Sequence, residues 1–141
     1  MRNYIIKSFL ALACLAMVSM PLSAQKGKGG GGGGGGCAVV ATPMLSTATA
    51  SPGTMIGVFS RVGNCSSGKQ RYTVTVTAMS SCGAETVIAS AVIAFNGGEY
   101  KLISTTYAIA PDTCLGPSTV SVSVDGGGTV LASDSTILTI Q

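Results

Sequence analysis

The stretch RYTVTVTA, residues 71–78, decides the fold because apolar and polar side chains alternate along its whole length. Successive side chains of a β-strand point to opposite faces, so one face of this stretch is apolar and the other carries threonine hydroxyls. Such alternation is typical of a half-buried strand. We interpret the rest of the domain as strands that accompany this one.

Residues 37–141 divide into seven β-rich runs that are separated by turn signals such as Asn-Gly-Gly and Asp-Gly-Gly-Gly. The runs are residues 38–49, 54–62, 71–79, 86–95, 100–109, 118–124 and 129–140. None of them has the apolar spacing of a helix. Seven strands about ten residues apart predict an all-β domain, a seven-stranded antiparallel sandwich.

Alternation also predicts which side chains face the core. The valines of VSVSV, residues 120–124, lie on one parity and are expected to be inside. In the fourth run, Val87 shares a parity with Phe95, but Ile88 and Val92 lie on the other parity. The second run also has apolar residues on both parities, which predicts partial cover of both faces.

Residues 1–24 are typical of a secretory signal peptide. Arg2 and Lys7 are followed by an uncharged, mostly apolar run, residues 8–20, and small residues lead to Ala24. This run has 13 residues, whereas a membrane-spanning helix needs about 20. A lipoprotein signal acylated at Cys14 is the disfavoured alternative. A lipobox has leucine three positions before the cysteine and a small residue two positions before it, whereas Ala11 and Leu12 stand in the opposite order. We expect cleavage after Ala24, no stable membrane span thereafter, and a periplasmic, cell-surface or extracellular protein.

Residues 25–36 form a Lys/Gly-rich segment that ends in eight consecutive glycines. Glycine buries no side chain and loses the most backbone entropy on ordering, so we expect a disordered linker. A passive spacer between the signal and the domain is the favoured interpretation. The alternative is a tether, or a segment that packs into an assembly.

Four cysteines follow the expected cleavage point, namely Cys37, Cys65, Cys82 and Cys114. An even number in an exported chain favours two disulfides, for which three connectivities exist. Their spacings lack the paired Cys-x₂-Cys pattern of zinc sites. We therefore expect no metal site and no cofactor.

The composition excludes several kinds of chemistry. The chain has no histidine, so it lacks the commonest general base and every serine-histidine-aspartate triad. Its five acids lie in or beside predicted turns, and its six basic residues after Ala24 exceed them by one. This balance gives no electrostatic argument for binding nucleic acid or anionic lipid. We expect a protein that is not an enzyme and does not bind nucleic acid.

Three side chains are candidates for surface contacts. Tyr100 and Tyr107 fall on opposite faces of one predicted strand, and Tyr107 shares the parity of Ile109. Tyr107 is therefore expected in the core, and Tyr100 is the candidate for an exposed contact. Lys69 and Arg71 lie close together in the sequence and form a small basic spot, for which a solvated rim is the simpler interpretation.

The pattern of the domain resembles the immunoglobulin-like or fibronectin type III-like modules of exported bacterial proteins, including the CARDB type. The resemblance depends on Gly63-Asn64-Cys65, on YTVTVTA, on the segment Gly116-Pro117-x-x-VSVSVD and on the final ILTI. Immunoglobulin strand order implies that Cys37 pairs with Cys65 at one end of the sandwich, and Cys82 with Cys114 at the other.

These observations predict an exported, non-catalytic β-sandwich module with a binding or structural role, whose partner is an unidentified protein or envelope component. A self-assembling subunit of a surface polymer or adhesin is one alternative, in which an open edge such as the first or last run pairs with a neighbour. A carbohydrate-binding module is another alternative. The lack of tryptophan and the few tyrosines weaken it, because such modules stack sugars on exposed aromatic rings.

Overall fold

The structure, a computed structural model, describes residues 36–141. Within this range the chain forms β-strands and turns and contains no helix. The strands are β1 (Ala38–Val40), β2 (Met44–Leu45), β3 (Thr49–Ala50), β4 (Met55–Asn64), β5 (Gln70–Met79), β6 (Glu85–Phe95), β7 (Tyr100–Ala108), β8 (Gly116–Gly126) and β9 (Thr129–Ile140). The signal peptide, its cleavage point and the glycine-rich segment up to residue 35 lie outside the described residues.

Two sheets form the layers of a β-sandwich. In sheet A, β4 is central, with β7 on one side and β1 and β2 one after the other on the other side. Sheet B has the order β3-β9-β8-β5-β6. All pairs are antiparallel except β3 with β9. The all-β prediction is confirmed, and the core fills the space between the two inner faces.

The stretch on which the prediction centred lies inside sheet B. It forms most of β5, which is paired with β6 on one side and β8 on the other. Its apolar parity, from Tyr72 to Ala78, is buried, and the threonines between are only partly covered. Val120, Val122 and Val124 of β8 are fully buried beside it, as predicted.

The predicted strand count of seven is corrected to nine, because the first run, residues 38–49, is broken into three short strands. β1 and β2 pair with β4 in sheet A, whereas β3 pairs with β9 in sheet B. Pro43 lies in the first break, where its missing N–H prevents a continuous ladder. The other six runs correspond to β4–β9.

A β-bulge in β6 explains the mixed parity of the fourth run. Val76 lies opposite Ala89 and Thr77 lies opposite Val87, so Ile88 is the additional residue. Odd-numbered residues of β6 that follow the bulge face the core, whereas those that precede it face outward. Val87, which shares the parity of Phe95 in the sequence, therefore lies on the outer face and is 59% exposed.

Candidate binding surface

The outer face of sheet A combines aromatic rings, exposed methionines and an arginine. Met44 lies opposite Phe59, Arg61 opposite Leu102, and Tyr100 opposite Gly63. Directly opposed residues of an antiparallel pair project from the same face, and the burial pattern of β4 places its odd-numbered residues outside. We call this surface the platform and define it by Met44, Met55, Phe59, Arg61, Tyr100 and Leu102.

The platform is mostly apolar, and its two methionines are its most exposed side chains. Met44 and Met55 are 67% and 68% exposed, whereas Phe59, Leu102 and Tyr100 are half-buried. Methionine is flexible and polarisable and is often used on surfaces that adapt to different partners. Apolar residues that adjoin one another on a surface are more informative than scattered ones.

Two glycines allow the aromatic rings to lie close to the sheet. A Cβ atom built on Gly57 would lie 2.9 Å from the ring of Phe59, and one built on Gly63 would lie 2.4 Å from the ring of Tyr100. Each ring therefore occupies the space that a side chain at Gly57 or Gly63 would fill. One side of each ring is thus covered by the backbone of β4.

Arg61 is the only charged residue of the platform. It is half-buried, and within residues 36–141 no carboxylate forms an ion pair with its guanidinium. A guanidinium offers five N–H donors in a planar arrangement that matches carboxylate and phosphate groups. The platform therefore combines apolar contact area with a cation suited to an acidic or polar group.

The structure does not bring the three candidate contact residues together. Tyr100 lies on the platform and is half-buried against Gly63. Lys69 is exposed in the loop before β5, and Arg71 is exposed at the start of β5 in the other sheet. Tyr107 is buried, as expected, and burial raises the pKa of its phenol above the ordinary value.

Sequence reasoning did not identify the rest of the platform. The signal was the second run, where Met55, Phe59 and Arg61 share the parity opposite to Ile56 and Val58. The residues of β2 and β7 that complete the surface are far away in the sequence. Only the pairing of β2 and β7 with β4 shows that they belong to it.

Lys101 has a structural position. Its side chain is 12% exposed, and its ammonium group lies 5.3 Å from the ring centroid of Phe95, which is buried in β6. The ammonium donates a 2.6 Å hydrogen bond to the carbonyl of Ala94 in β6 and lies 3.9 Å from the Glu99 carboxylate. These contacts connect β7 to the edge of sheet B.

The cysteines are joined in the two pairs that the resemblance implied. The Cα atoms of Cys37 and Cys65 are 5.0 Å apart, and those of Cys82 and Cys114 are 6.1 Å apart. The first bridge connects the residue before β1 to the residue after β4. The second connects the β5–β6 turn to the β7–β8 loop, at the opposite end of the sandwich.

A buried amide organises the end of the sandwich near Cys37. Asn64 is fully buried, and its Nδ2 donates to the carbonyls of Gly68 and Asn96 at 2.8 and 3.0 Å. Its Oδ1 accepts from the Ser66 N–H and from the Tyr72 hydroxyl. A buried polar group whose bonds are all made rigidifies its surroundings, so this network fixes two loops and the start of the domain.

Asp134 is placed on the inner face of β9 near the edge. It lies opposite Val122, and its Oδ2 accepts a 2.6 Å hydrogen bond from the Thr42 hydroxyl. Its other carboxylate oxygen accepts from the Ser135 N–H. The hydrogen bond from Thr42, followed by that from Ser135, lowers the pKa of Asp134 below its ordinary value.

Residues 36–141 contain no cluster of three or more cysteine or acidic side chains that would hold a metal ion. A crevice of about 10 Å³ opens between β6 and β7 and is lined by apolar side chains and by Ser90, Ser104 and Thr105. That volume admits about one water molecule.

No family model matches the chain, and no curated protein matches it. Among solved structures, a CARDB domain from Pyrococcus furiosus that was solved with di-metal ions has a TM-score of 0.60 and 12% identity over 77% of this chain and 90% of that chain. The C-terminal domain of Wzt has a TM-score of 0.58 and 12% identity over 75% of this chain and 74% of that chain.

Larger enzymes contain a similar unit. A β-glucosidase from Erythrobacter marinus has a TM-score of 0.63 and 11% identity over 75% of this chain. The chain spans only 16% of that enzyme, and 30% of a DNA glycosylase from Pseudomonas fluorescens that is also similar. At these identities the likeness concerns the fold alone, and it shows that residues 36–141 form a CARDB-like β-sandwich.

Proposed function

We propose that the protein is an exported, non-catalytic module that binds a protein or another envelope component through the platform. The observation that carries the proposal is the composition of this outer sheet face. It has two exposed methionines, two aromatic rings laid over glycines and an arginine without an acidic partner in the described residues. The outer face of sheet B also has exposed aliphatic side chains, but they lie among serines and threonines and include no aromatic ring; they are Met79, Val87, Val92, Val130 and Ile137.

Export is supported by the N-terminal pattern and by the cysteines. A charged start, an apolar run and small residues before position 25 are typical of a signal peptide. Two disulfides are stable in an oxidising compartment. No helix within residues 36–141 has the length and apolarity to cross a bilayer. Intact-mass analysis of the secreted protein tests this, since cleavage after Ala24 and the absence of free thiols are both expected.

The finer assignment of the sandwich is to the immunoglobulin-like, fibronectin type III-like class. It is supported by the order of the long strands, in which β4 and β7 form one sheet with β1, and β5, β6, β8 and β9 form the other. Loops and faces of such sandwiches carry unrelated functions. The proposed role therefore depends on the platform and not on the fold class.

Binding through the platform is tested by measuring how the exported protein associates with the envelope fraction of the cells that produce it. The double variant Met44→Ser/Met55→Ser removes exposed apolar contact without touching the core, and Arg61→Gln removes the charge. We expect each to weaken association by about tenfold or more, because central anchors dominate binding energy.

The matched control is Met79→Ser, since Met79 is an exposed methionine on the outer face of sheet B. It is expected to associate as the wild type does. Equal association of wild type, platform variants and control would contradict the assignment of this surface.

A carbohydrate ligand is the second candidate, and the placement of Phe59 and Tyr100 favours it. Both rings lie on one face and are backed by the sheet, so their outer sides are oriented to stack on the apolar side of a sugar ring. A glycan array with the wild type and Tyr100→Ala discriminates the two candidates. Selective signals lost in the variant favour a sugar, whereas a flat wild-type profile excludes it.

A further inference from the structure

The strand β6, at one edge of sheet B, is long and uncharged over most of its length. Within residues 36–141 it pairs only with β5, and its other side is an edge of the sheet. Residues 86–95, TVIASAVIAF, contain no charged side chain and no proline. Val92 on its outer face is 61% exposed. Such an edge is a template for pairing with another strand.

The other edges carry features that oppose pairing. β7 has the inward-facing Lys101, whose ammonium also occupies the Ala94 end of the β6 edge. β9 has the inward-facing Asp134 and is covered at its end by β3. β1 and β2, along the remaining edge, are three and two residues long. Inward charges and very short strands are the usual ways in which proteins protect their sheet edges.

The core is also incompletely covered beside β6. The small side chains of Ala89 and Ala91 face inward there and are only half-buried. They line the apolar crevice with Ile93 of the same strand and Ile103 of β7. An additional strand along β6 would place its own inward-facing side chains over this opening.

We infer that β6 pairs antiparallel with β6 of a second copy of this chain about a twofold axis. A second copy fits because the strand is uncharged and because antiparallel pairing about Ala91 sets the small Ala89 of one copy opposite the larger Ile93 of the other on the inner face. Such mutual fit is what a twofold contact requires. The described domain has four basic and five acidic residues, so two copies have little net repulsion.

The Ala94 carbonyl indicates the register. It accepts the hydrogen bond from Lys101 at the open side of β6. In an antiparallel strand, alternate residues direct both backbone groups to the same side, so Ser90 and Val92 also face the open edge. A twofold axis at Ala91 pairs Ser90 with Val92 of the second copy in a ladder of residues 89–93. The pairing ends before Ala94, whose carbonyl is bonded to Lys101.

The test measures the oligomeric state of the exported protein by sedimentation over a hundredfold concentration range. We expect a monomer–dimer equilibrium that Val92→Lys shifts by about tenfold or more toward the monomer, because a charge on an edge strand disfavours pairing. Val130→Lys is the matched control, since Val130 is 60% exposed on β9. It is expected to leave the equilibrium unchanged.

Amide hydrogen exchange gives a second readout that needs no variant. The N–H groups of Ser90 and Val92 are expected to exchange more slowly as the concentration rises, while those of β9 residues 130–137 do not change. A monomer throughout the range would overturn the inference. So would an equal response of Val92→Lys and Val130→Lys, or exchange at Ser90 and Val92 that does not depend on concentration. This inference is independent of the proposed function. Platform variants that lose envelope binding but keep the dimer test the proposed function, and Val92→Lys that loses the dimer but keeps envelope binding tests this inference.

Discussion

Asn64 is the polar side chain on which the end of the sandwich near Cys37 depends. Replacing it with alanine removes one hydrogen bond each from the carbonyls of Gly68 and Asn96 and from the hydroxyl of Tyr72. We expect Asn64→Ala to lower the free energy of unfolding by about 2 kcal/mol, because buried polar groups that lose their bonds remain desolvated. Denaturant unfolding measures it.

The control for Asn64 is another asparagine of the same network. Asn96 is exposed and contributes its backbone carbonyl to the bond with Asn64, which alanine retains. Asn96→Ala is therefore expected to change stability by less than about 0.5 kcal/mol. A loss as large as that of Asn64→Ala would mean that the amide of Asn64 is not the source of the effect.

Ser118 presents the opposite case among buried polar residues. Its hydroxyl is buried on the inner face of β8 and has no hydrogen-bond partner among the residues that the structure describes. Removing it eliminates a desolvated group and leaves no partner unsatisfied. We expect Ser118→Ala to leave the free energy of unfolding unchanged or to raise it by up to about 1 kcal/mol. A loss of more than about 1 kcal/mol in denaturant unfolding would show that the hydroxyl makes a stabilising contact.

Asp134 predicts how the domain responds to acid. Its pKa in the folded state is lowered by the bonds from Thr42 and Ser135, so the ionised form is favoured by folding. This contribution is present above the unfolded-state pKa of about 3.9 and is lost as the pH falls through the folded-state pKa. Wild-type stability should therefore decrease below about pH 4 more steeply than that of Asp134→Asn.

Thermal unfolding at a series of pH values measures this difference. Thr42→Val removes the larger cause of the shift and should bring the acid dependence close to that of Asp134→Asn. Parallel curves for the three proteins would contradict the role assigned to the pair.

At the scale of an element, the turn between β6 and β7 depends on close backbone approach. A Cβ atom on Gly97 would lie 2.1 Å from the carbonyl oxygen of Ser67, in the loop that precedes β5. We expect Gly97→Ala to destabilise the domain by about 2 kcal/mol, because a backbone atom cannot move aside as a flexible side chain does. Urea unfolding measures the change.

Gly68 in the facing loop is the control for this turn. A Cβ atom there would meet no atom within 4 Å, and alanine restricts the unfolded chain. Gly68→Ala should therefore be neutral or slightly stabilising. Equal destabilisation by both substitutions would show that the loops, and not the contact of Gly97 with Ser67, limit the tolerance for a side chain.

Element by element, the sequence predicts those strands whose polar and apolar residues alternate. β5 and β8 follow directly from their patterns, because both of their neighbours are strands of the same sheet and one face is buried. The break of the first run and the bulge at Ile88 are not predictable in this way. Both depend on pairing with distant strands, which a local pattern does not contain.

At the scale of the whole molecule, the two disulfides are expected to act independently. They close segments of 28 and 32 residues at opposite ends of the sandwich. On the chain-entropy account, each contributes about 3–4 kcal/mol. Replacing either pair with serine should lower the free energy of unfolding by about that amount, and replacing both should give the sum, because the sites are far apart.

Guanidinium unfolding of the wild type, the two double-serine variants and the quadruple variant completes this cycle. A quadruple variant that is folded at 25 °C and loses much less than the sum would indicate coupling between the two ends. Such coupling would contradict the independence that the positions of the bridges imply.

The platform is a feature that the sequence pattern does not predict, because it is assembled from three strands that are distant in the sequence. Phe59 and Arg61 share one parity of a single run, but that run has apolar residues on both parities, so the sequence does not predict which parity faces outward. The parity of Tyr100 within its own run predicts that it is exposed, but it does not connect Tyr100 with Phe59 and Arg61. The surface exists only because β7 and β2 pair with β4 in a register that sets Tyr100 against Gly63 and Met44 against Phe59.

The Cys37–Cys65 bridge also determines how the domain carries tension. A pull on the segment before Gly36 reaches Cys37 and passes covalently to Cys65 at the end of β4, so β1 is not peeled from the sheet. The two cysteines are 28 positions apart in the sequence, and the segment between them cannot extend, which withholds roughly 100 Å of chain from stretching until the bond is reduced. In an oxidising compartment, the start of the domain is thus an inextensible anchor for the Lys/Gly-rich segment that precedes it.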